Sequence, residues 1–211
     1  MIFRFVRSGG AVVFGLIASF ALSASAATRG NPSTGVAERA IVRFDSSPSG
    51  FDRSVYAVNV VAFDHPAMLR VAALKHLSDR KPGVRFASVY ALALTADAKS
   101  GAVQLRALLH SRVVEDRLLA AGALASLGDT QALPVLIAAL GNPSPFAFWN
   151  SPLQAFAFAQ TELLRVTDKD FGLKQAGTAA QVGATKPAWK RWWRKSGASV
   201  RFDPARGRFL G

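Results

Sequence analysis

Val114-Glu115-Asp116-Arg117-Leu118-Leu119-Ala120-Ala121-Gly122-Ala123-Leu124-Ala125-Ser126-Leu127-Gly128-Asp129, running on into Ala132-Leu133-Pro134-Val135-Leu136-Ile137-Ala138-Ala139-Leu140, decides the fold of this chain. Ala120, Ala121, Leu124 and Leu127 recur at helical spacing, and Leu133, Leu136, Ile137 and Leu140 follow at i, i+3, i+4 and i+7. Gly128 stands where a helix ends in left-handed backbone. The stretch reads as a helix, a short turn and a second helix. Each carries an apolar stripe that needs a neighbouring helix to cover it.

Working outward, the same pattern returns. Asp64 and Pro66 mark a helix start, and Leu69, Ala73 and Leu77 follow at spacings of four. Beyond Lys81-Pro82-Gly83, Ala87, Tyr90, Ala91 and Leu94 repeat the i, i+3, i+4, i+7 stripe. Leu105, Leu108 and Leu109 mark a further helix, and Leu153, Phe156, Ala157, Leu163 and Leu164 another, interrupted by Gln160. Arg85 and Arg117 lie 32 residues apart, as do Ala91-Leu92 and Ala123-Leu124. A helix-pair unit of that length belongs to solenoids. The spacing pairs 66–78 with 83–96, 99–110 with 114–127, and 131–140 with 152–166. The β-branched run from Ser54 to Phe63 fits strand or helix by periodicity alone; the helices that follow favour a helix that begins the array.

An acidic residue and Arg117 ahead of Ala120-Ala121-Gly122-Ala123-Leu124, ending in Leu127-Gly128-Asp129, resemble the second helix of bacterial HEAT-like repeats of the phycobilisome-lyase type. Ala132-Leu133-Pro134-Val135-Leu136 is similar to the family's following first helix, and Val84-Arg85 with Ala91-Leu92 to the preceding copy. The ending, Thr167-Asp168-Lys169-Asp170-Phe171-Gly172 and then Trp189-Lys190-Arg191-Trp192-Trp193, also resembles that family. The resemblance covers about 66–195. It implies an all-α, right-handed α-solenoid of about three HEAT-like helix pairs at 53–172, used for protein–protein interaction. A Trp-rich capping helix and basic tail at 173–211 would close it. No residues match a lyase site, so no such activity is carried over. The third pair departs from the pattern: Leu153-Gln154 stands where Arg is expected, and the turn expands to 141–152.

The N-terminus predicts export. Arg4 and Arg7 precede the apolar run Ala11 to Leu22, and Ala24-Ser25-Ala26 offers a small-residue cleavage site, so 1–26 reads as a signal peptide. The run is shorter than the roughly 18 residues of a spanning helix. The Gly-, Ser- and Pro-rich residues 27–52 read as a flexible linker in which only Val36 to Phe44 orders locally. The chain has no Cys, which excludes disulfides, thiol chemistry and Cys-based metal sites.

The formal charge is +13, and loss of Arg4 and Arg7 with the signal leaves +11. Eight of the cations lie between Lys186 and Arg208 against a single acid, Asp203. Such a patch suits an acidic protein, an anionic membrane surface or an acidic glycan, and the export signal points away from nucleic acid.

Two groups are candidates for partner contact. Phe146, Phe148 and Trp149 in the expanded turn have the chemistry of interface anchors, or else fold back to cover the array's edge. Trp189, Trp192 and Trp193 share one helical face, with Lys190, Arg191, Arg194 and Lys195 around the rest. They suit an interfacial helix on anionic lipid, or a cap over the last repeat with Thr185 as its N-cap and Pro187 in its first turn. Arg85 and Arg117 are expected to tie units together through acids or turn carbonyls, and Asp168 and Asp170 to cap the turn before the C-terminal segment. His65, His76 and His110 have no metalloprotease spacing, and no nucleophile elbow, phosphate loop or dinucleotide fingerprint occurs. The chain is therefore expected to be non-catalytic, with no cofactor and no metal.

Overall fold

The computed structural model describes residues 34–62, 65–96, 101–148, 151–173 and 177–211. Nine α-helices and two two-stranded antiparallel hairpins lie among them, so the chain is predominantly helical. The expected signal peptide and Asp64 lie outside the described residues.

In chain order the helices are α1 (Thr34–Ser46), α2 (Gly50–Ala62), α3 (Pro66–Lys75), α4 (Pro82–Thr95), α5 (Ala102–Leu108) and α6 (Val114–Ser126). Then come α7 (Ala132–Ala139), the hairpin β1 (Pro145–Phe148) and β2 (Ser151–Gln154), α8 (Ala155–Val166), α9 (Ala179–Ser196), and the hairpin β3 (Arg201–Asp203) and β4 (Arg208–Leu210). Within pairs, α1 packs on α2, α3 on α4, α5 on α6 and α7 on α8. Successive pairs meet through their second helices: α2 on α4, α4 on α6, α6 on α8. Ser54 to Ala62 is therefore helix, not strand.

Two expectations need correction here. The segment 27–52 is not a flexible linker in its described part, because α1 begins at Thr34 and α2 at Gly50. Ala37, Ala40 and Phe44 form a buried stripe at i, i+3 and i+7, and both Ala37 and Phe44 are fully enclosed. The Ser and Pro residues that suggested a linker sit at the joint between the two helices. The described residues consequently hold four helix pairs rather than about three.

The 32-residue period has a physical basis. The second helices α2, α4 and α6 begin at Gly50, Pro82 and Val114, at intervals of 32. Arg53, Arg85 and Arg117 occupy the fourth position of each and turn back onto the carbonyl six residues earlier. Arg53 Nε donates to Ser47 O at 2.6 Å, Arg85 Nη1 to Asp79 O at 3.1 Å, and Arg117 Nη1 to Ser111 O at 2.5 Å. Each guanidinium thus satisfies a carbonyl in the joint within its pair, where the helical ladder cannot reach it.

α6 is the centre of the molecule. It touches α4, α5, α7, α8 and β1 and is buried on nearly every side from Leu118 to Ala125. Its Ala-rich sequence follows from that crowding, since small side chains let four neighbouring helices approach closely. A methyl at Gly122 would stand 3.1 Å from the Phe158 ring. The helix ends as Gly128 predicts. Gly128 has φ +81°, its N–H donates to Ala125 O at 3.1 Å, and the Asp129 N–H donates to Leu124 O at 2.9 Å.

The turn 141–152, expected as a loop, contains β1 and the first half of β2, paired from Pro145↔Gln154 to Phe148↔Ser151. A hairpin satisfies its own backbone, which accounts for a long insertion at this joint. β3 and β4 form the second hairpin, with Phe202 edge-on to Phe209 at 5.1 Å between centroids. Phe202 lies so close over Gly128 that a side chain there would overlap its ring.

Candidate functional site

α9 lies against α7 and α8, beside the last pair. Its start is fixed by a capping box: Thr178 Oγ1 accepts from the Gln181 N–H at 3.3 Å, and Gln181 Oε1 accepts from the Thr178 N–H at 2.9 Å. Thr185 is therefore not the N-cap; its hydroxyl donates to Val182 O at 2.7 Å, and Pro187 lies inside the helix. Sequence spacing placed the start about two turns late because Pro187 resembled a first-turn proline.

The close approach of α9 to α7 depends on two glycines. Gly141, at φ +81°, ends the α7 segment, and a side chain on it would meet Gly183 Cα at 2.9 Å. Gly183 is the matching gap on α9: a methyl there would reach Gly141 Cα at 3.2 Å. Beside this crossing the two helices diverge into an open groove of about 620 Å³.

The groove has two kinds of wall. Pro134, Ile137 and Ala138 from α7, with Pro187 and Trp193 from α9, supply apolar surface. Lys186, Lys190, Arg191 and Arg194 supply four cations, and no carboxylate is among the lining residues. Lys186 Nζ donates to Ala138 O at 2.5 Å, which spans the groove at one end. Partial burial and then the nearby Lys190 charge push the Lys186 amine below its ordinary range. The site is one of uncompensated positive charge over an apolar floor.

The three tryptophans do different jobs. Trp189 is only 2 % exposed and stands edge-on to Phe171 at 4.8 Å, so it anchors α9 to the core and is removed from the partner-contact residues. Trp192 is half-buried, edge-on to Trp189 at 5.7 Å, and its Nε1–H donates to Gly211 O at 3.3 Å. Lys169 Nζ sits 5.9 Å from the Trp192 ring centroid. Trp193 is half-buried and lines the groove. Lys190, Arg191, Arg194 and Lys195 are exposed on α9. Trp149 and the Phe146 and Phe148 side chains lie outside the described residues.

Asp168 and Asp170 hold the turn before α9. Asp170 Oδ1 accepts from the Gly172 N–H at 2.8 Å, while Asp168, in left-handed backbone at φ 46°, pairs with Arg208 of β4. The fold also gathers a cluster that spacing could not foresee. His76 Nε2 lies 3.3 Å from Asp45 Oδ1 on α1, and its Nδ1 lies 3.7 Å from Asp79 Oδ2. Lys75 Nζ reaches Asp45 Oδ2 at 3.0 Å. These contacts clamp α1 to the end of α3. Among the described residues there is no group of three or more His, Cys, Asp or Glu arranged to hold a metal ion, and no helix is long and apolar enough to cross a membrane.

No family model matches this chain, and no curated protein or solved structure matches it either.

Proposed function

We propose that this chain is an exported, non-catalytic interaction module, built as a short α-solenoid of HEAT-like helix pairs and working as a scaffold in the cell envelope. The solenoid reading is supported by the recurrence of helix starts and of Arg53, Arg85 and Arg117 at 32-residue intervals, with pairs joined through their second helices. Such an array presents rows of solvent-facing side chains from successive units, and its stability is a sum of nearest-neighbour interfaces.

The observation that carries the binding role is the α7–α9 groove: four cations and no acid stand over an apolar floor at the end of the array. A stable core gains nothing from such a concentration of like charge, which raises the electrostatic energy of the folded state. An acidic protein partner would relieve it and would be steered to the groove by the same field. Attachment to a membrane surface through the tryptophans has less support, since Trp189 is enclosed and Trp192 is held by Gly211 and Lys169.

The test is site-specific photo-crosslinking in the cells that make the protein. A crosslinking amino acid is placed at exposed positions on different helices, such as Ala138 and Gln104. Discrete protein adducts from a subset of positions are expected. Absence of any protein adduct from every surface position contradicts the interaction role.

A further inference from the structure

We infer that the α7–α9 groove binds an extended acidic segment of a protein partner, with acidic side chains at alternate positions and apolar ones between. This deepens the interaction role above and rests on it.

The spacing of the cations carries the argument. Lys186, Lys190 and Arg194 follow one another at i, i+4 and i+8 on α9, so their Cα atoms form a row with steps of about 6 Å. Side chains on one face of an extended strand recur every second residue, at about 6.5–7 Å. The two ladders match over both steps of the row. A helical partner could repeat its acids at a similar step, but it would spread its intervening side chains around a cylinder about 10 Å wide instead of turning them directly away from α9. The intervening side chains of an extended segment project the opposite way, toward Pro134, Ile137 and Ala138. Five residues in an acid–apolar–acid–apolar–acid order therefore span the groove.

Charge and shape both favour a peptide over a bilayer. A lipid surface is flat and needs a convex or planar face with outward-facing aromatic rings. Here the cations flank a concavity, and Trp193 is only partly exposed within it. Arg191 and Arg194 bring forked donors suited to bidentate carboxylate binding, and Lys186 and Lys190 add compact charges along the same row. The mutual repulsion of Lys186 and Lys190 falls when a carboxylate sits between them.

Fluorescence anisotropy with the mature chain and three labelled probes tests the inference. The probes carry Glu-Leu-Glu-Leu-Glu, the same residues in block order (Glu-Glu-Glu-Leu-Leu), and Gln-Leu-Gln-Leu-Gln, each between Gly-Ser flanks. The alternating acidic probe is expected to bind about tenfold more tightly than the block-order probe, and the Gln probe not to bind. Lys190→Glu with Arg194→Glu should weaken the alternating probe by about tenfold or more. Ala138→Phe, which narrows the groove at an exposed position, should also weaken it. Arg206→Glu, an exposed charge reversal on the β3–β4 hairpin, should leave it unchanged.

Equal binding of the two acidic probes, equal loss with Arg206→Glu, or no binding of the alternating probe overturns the inference. So does binding to phosphatidylglycerol vesicles that is stronger than peptide binding and insensitive to Ala138→Phe. Photo-adducts that form elsewhere on the array and survive Lys190→Glu with Arg194→Glu, with none at position 138, would leave the interaction role standing while removing this groove from it.

Discussion

Arg85 on α4 donates from Nε to Asp116 Oδ2 on α6 at 3.0 Å, joining two helices whose first residues are 32 positions apart. The Asp116 side chain is 4 % exposed, and the Ser111 hydroxyl approaches the same oxygen at 3.4 Å. The bond links successive pairs, while the Nη1 bond of the same arginine to Asp79 O closes the joint within its own pair. One side chain thus fixes both the internal geometry of a unit and its register on the next.

Arg85→Met is therefore expected to destabilise the fold by about 2 kcal/mol or more, because it leaves a buried carboxylate without its partner. Asp116→Asn should cost less, since the amide oxygen still accepts from Arg85. A double-mutant cycle by urea unfolding should give a coupling of about 1–2 kcal/mol between them. Additive effects would mean that the pair does not join the units.

Gly50 and Gly83 make an asymmetric prediction at the crossing of α2 and α4. A methyl on Gly50 would sit 2.3 Å from Gly83 O, which forces the helices apart, whereas a methyl on Gly83 would stand 3.6 Å from Gly50 Cα in ordinary contact. Gly50→Ala should cost about 1–3 kcal/mol through overpacking. Gly83→Ala should be neutral or gain up to about 1 kcal/mol from the reduced freedom of the unfolded chain. Thermal unfolding of the two variants side by side distinguishes them, and equal loss would contradict this crossing.

Glu162 gives the protein a pH-dependent contribution with an unusual sign. Its carboxyl is fully buried on α8, with Arg165 Nε 3.1 Å from Oε2 and Oε1 enclosed without a hydrogen-bond partner among the described residues. Burial pushes its pKa above the ordinary 4.5 against the opposing pull of Arg165. The folded state therefore holds this proton more tightly than the unfolded state. Its contribution is fully present below the unfolded pKa and is lost as pH rises through the folded one. Against Glu162→Gln, the wild type should gain stability on acidification across that window. Parallel stability–pH curves for the two proteins would show that Glu162 does not titrate this way.

Trp189→Ala should cost about 3–5 kcal/mol, as expected for a large ring removed from a closed core. Lys190→Glu and Arg194→Glu on the exposed side of α9 should stay within about 0.5 kcal/mol of wild type. Chemical denaturation of the three variants checks that α9 has a core face and a solvent face. Comparable losses in all three would contradict that division.

Much of the fold was legible where helices are amphipathic and bounded by Gly or Pro, as at 82–95 and 114–140. The first pair was masked by Ser47-Pro48-Ser49-Gly50, whose composition suggests a linker although it is only a tight joint. Arg53, one period before Arg85, carried the missing signal: subtracting 32 once more sets the start of the helix expected from Ser54 at Gly50 and leaves α1 as its partner. The start of α9 was misplaced because Thr178 and Gln181 cap it seven residues before the threonine chosen by sequence, and a helix of this length can absorb Pro187. Of the candidate site, sequence supplied the basic and aromatic residues of α9. It could not supply Pro134, Ile137 and Ala138, because their place in the groove depends on the Gly141–Gly183 contact between distant segments. Nor could it tell that Trp189 points inward while Trp193 lines the opening, since residues four apart share a face and only packing separates their exposure.

The most direct measurement is a two-dimensional amide and indole NMR titration of the chain with the alternating acidic peptide. The Trp193 indole and the backbone amides of Ala138, Lys186, Lys190 and Arg194 are expected to shift together and saturate at one affinity, with α1 to α4 unmoved. Shifts concentrated on α1 to α4, or saturable binding that leaves Trp193 and Ala138 in place, would contradict the groove as the binding site.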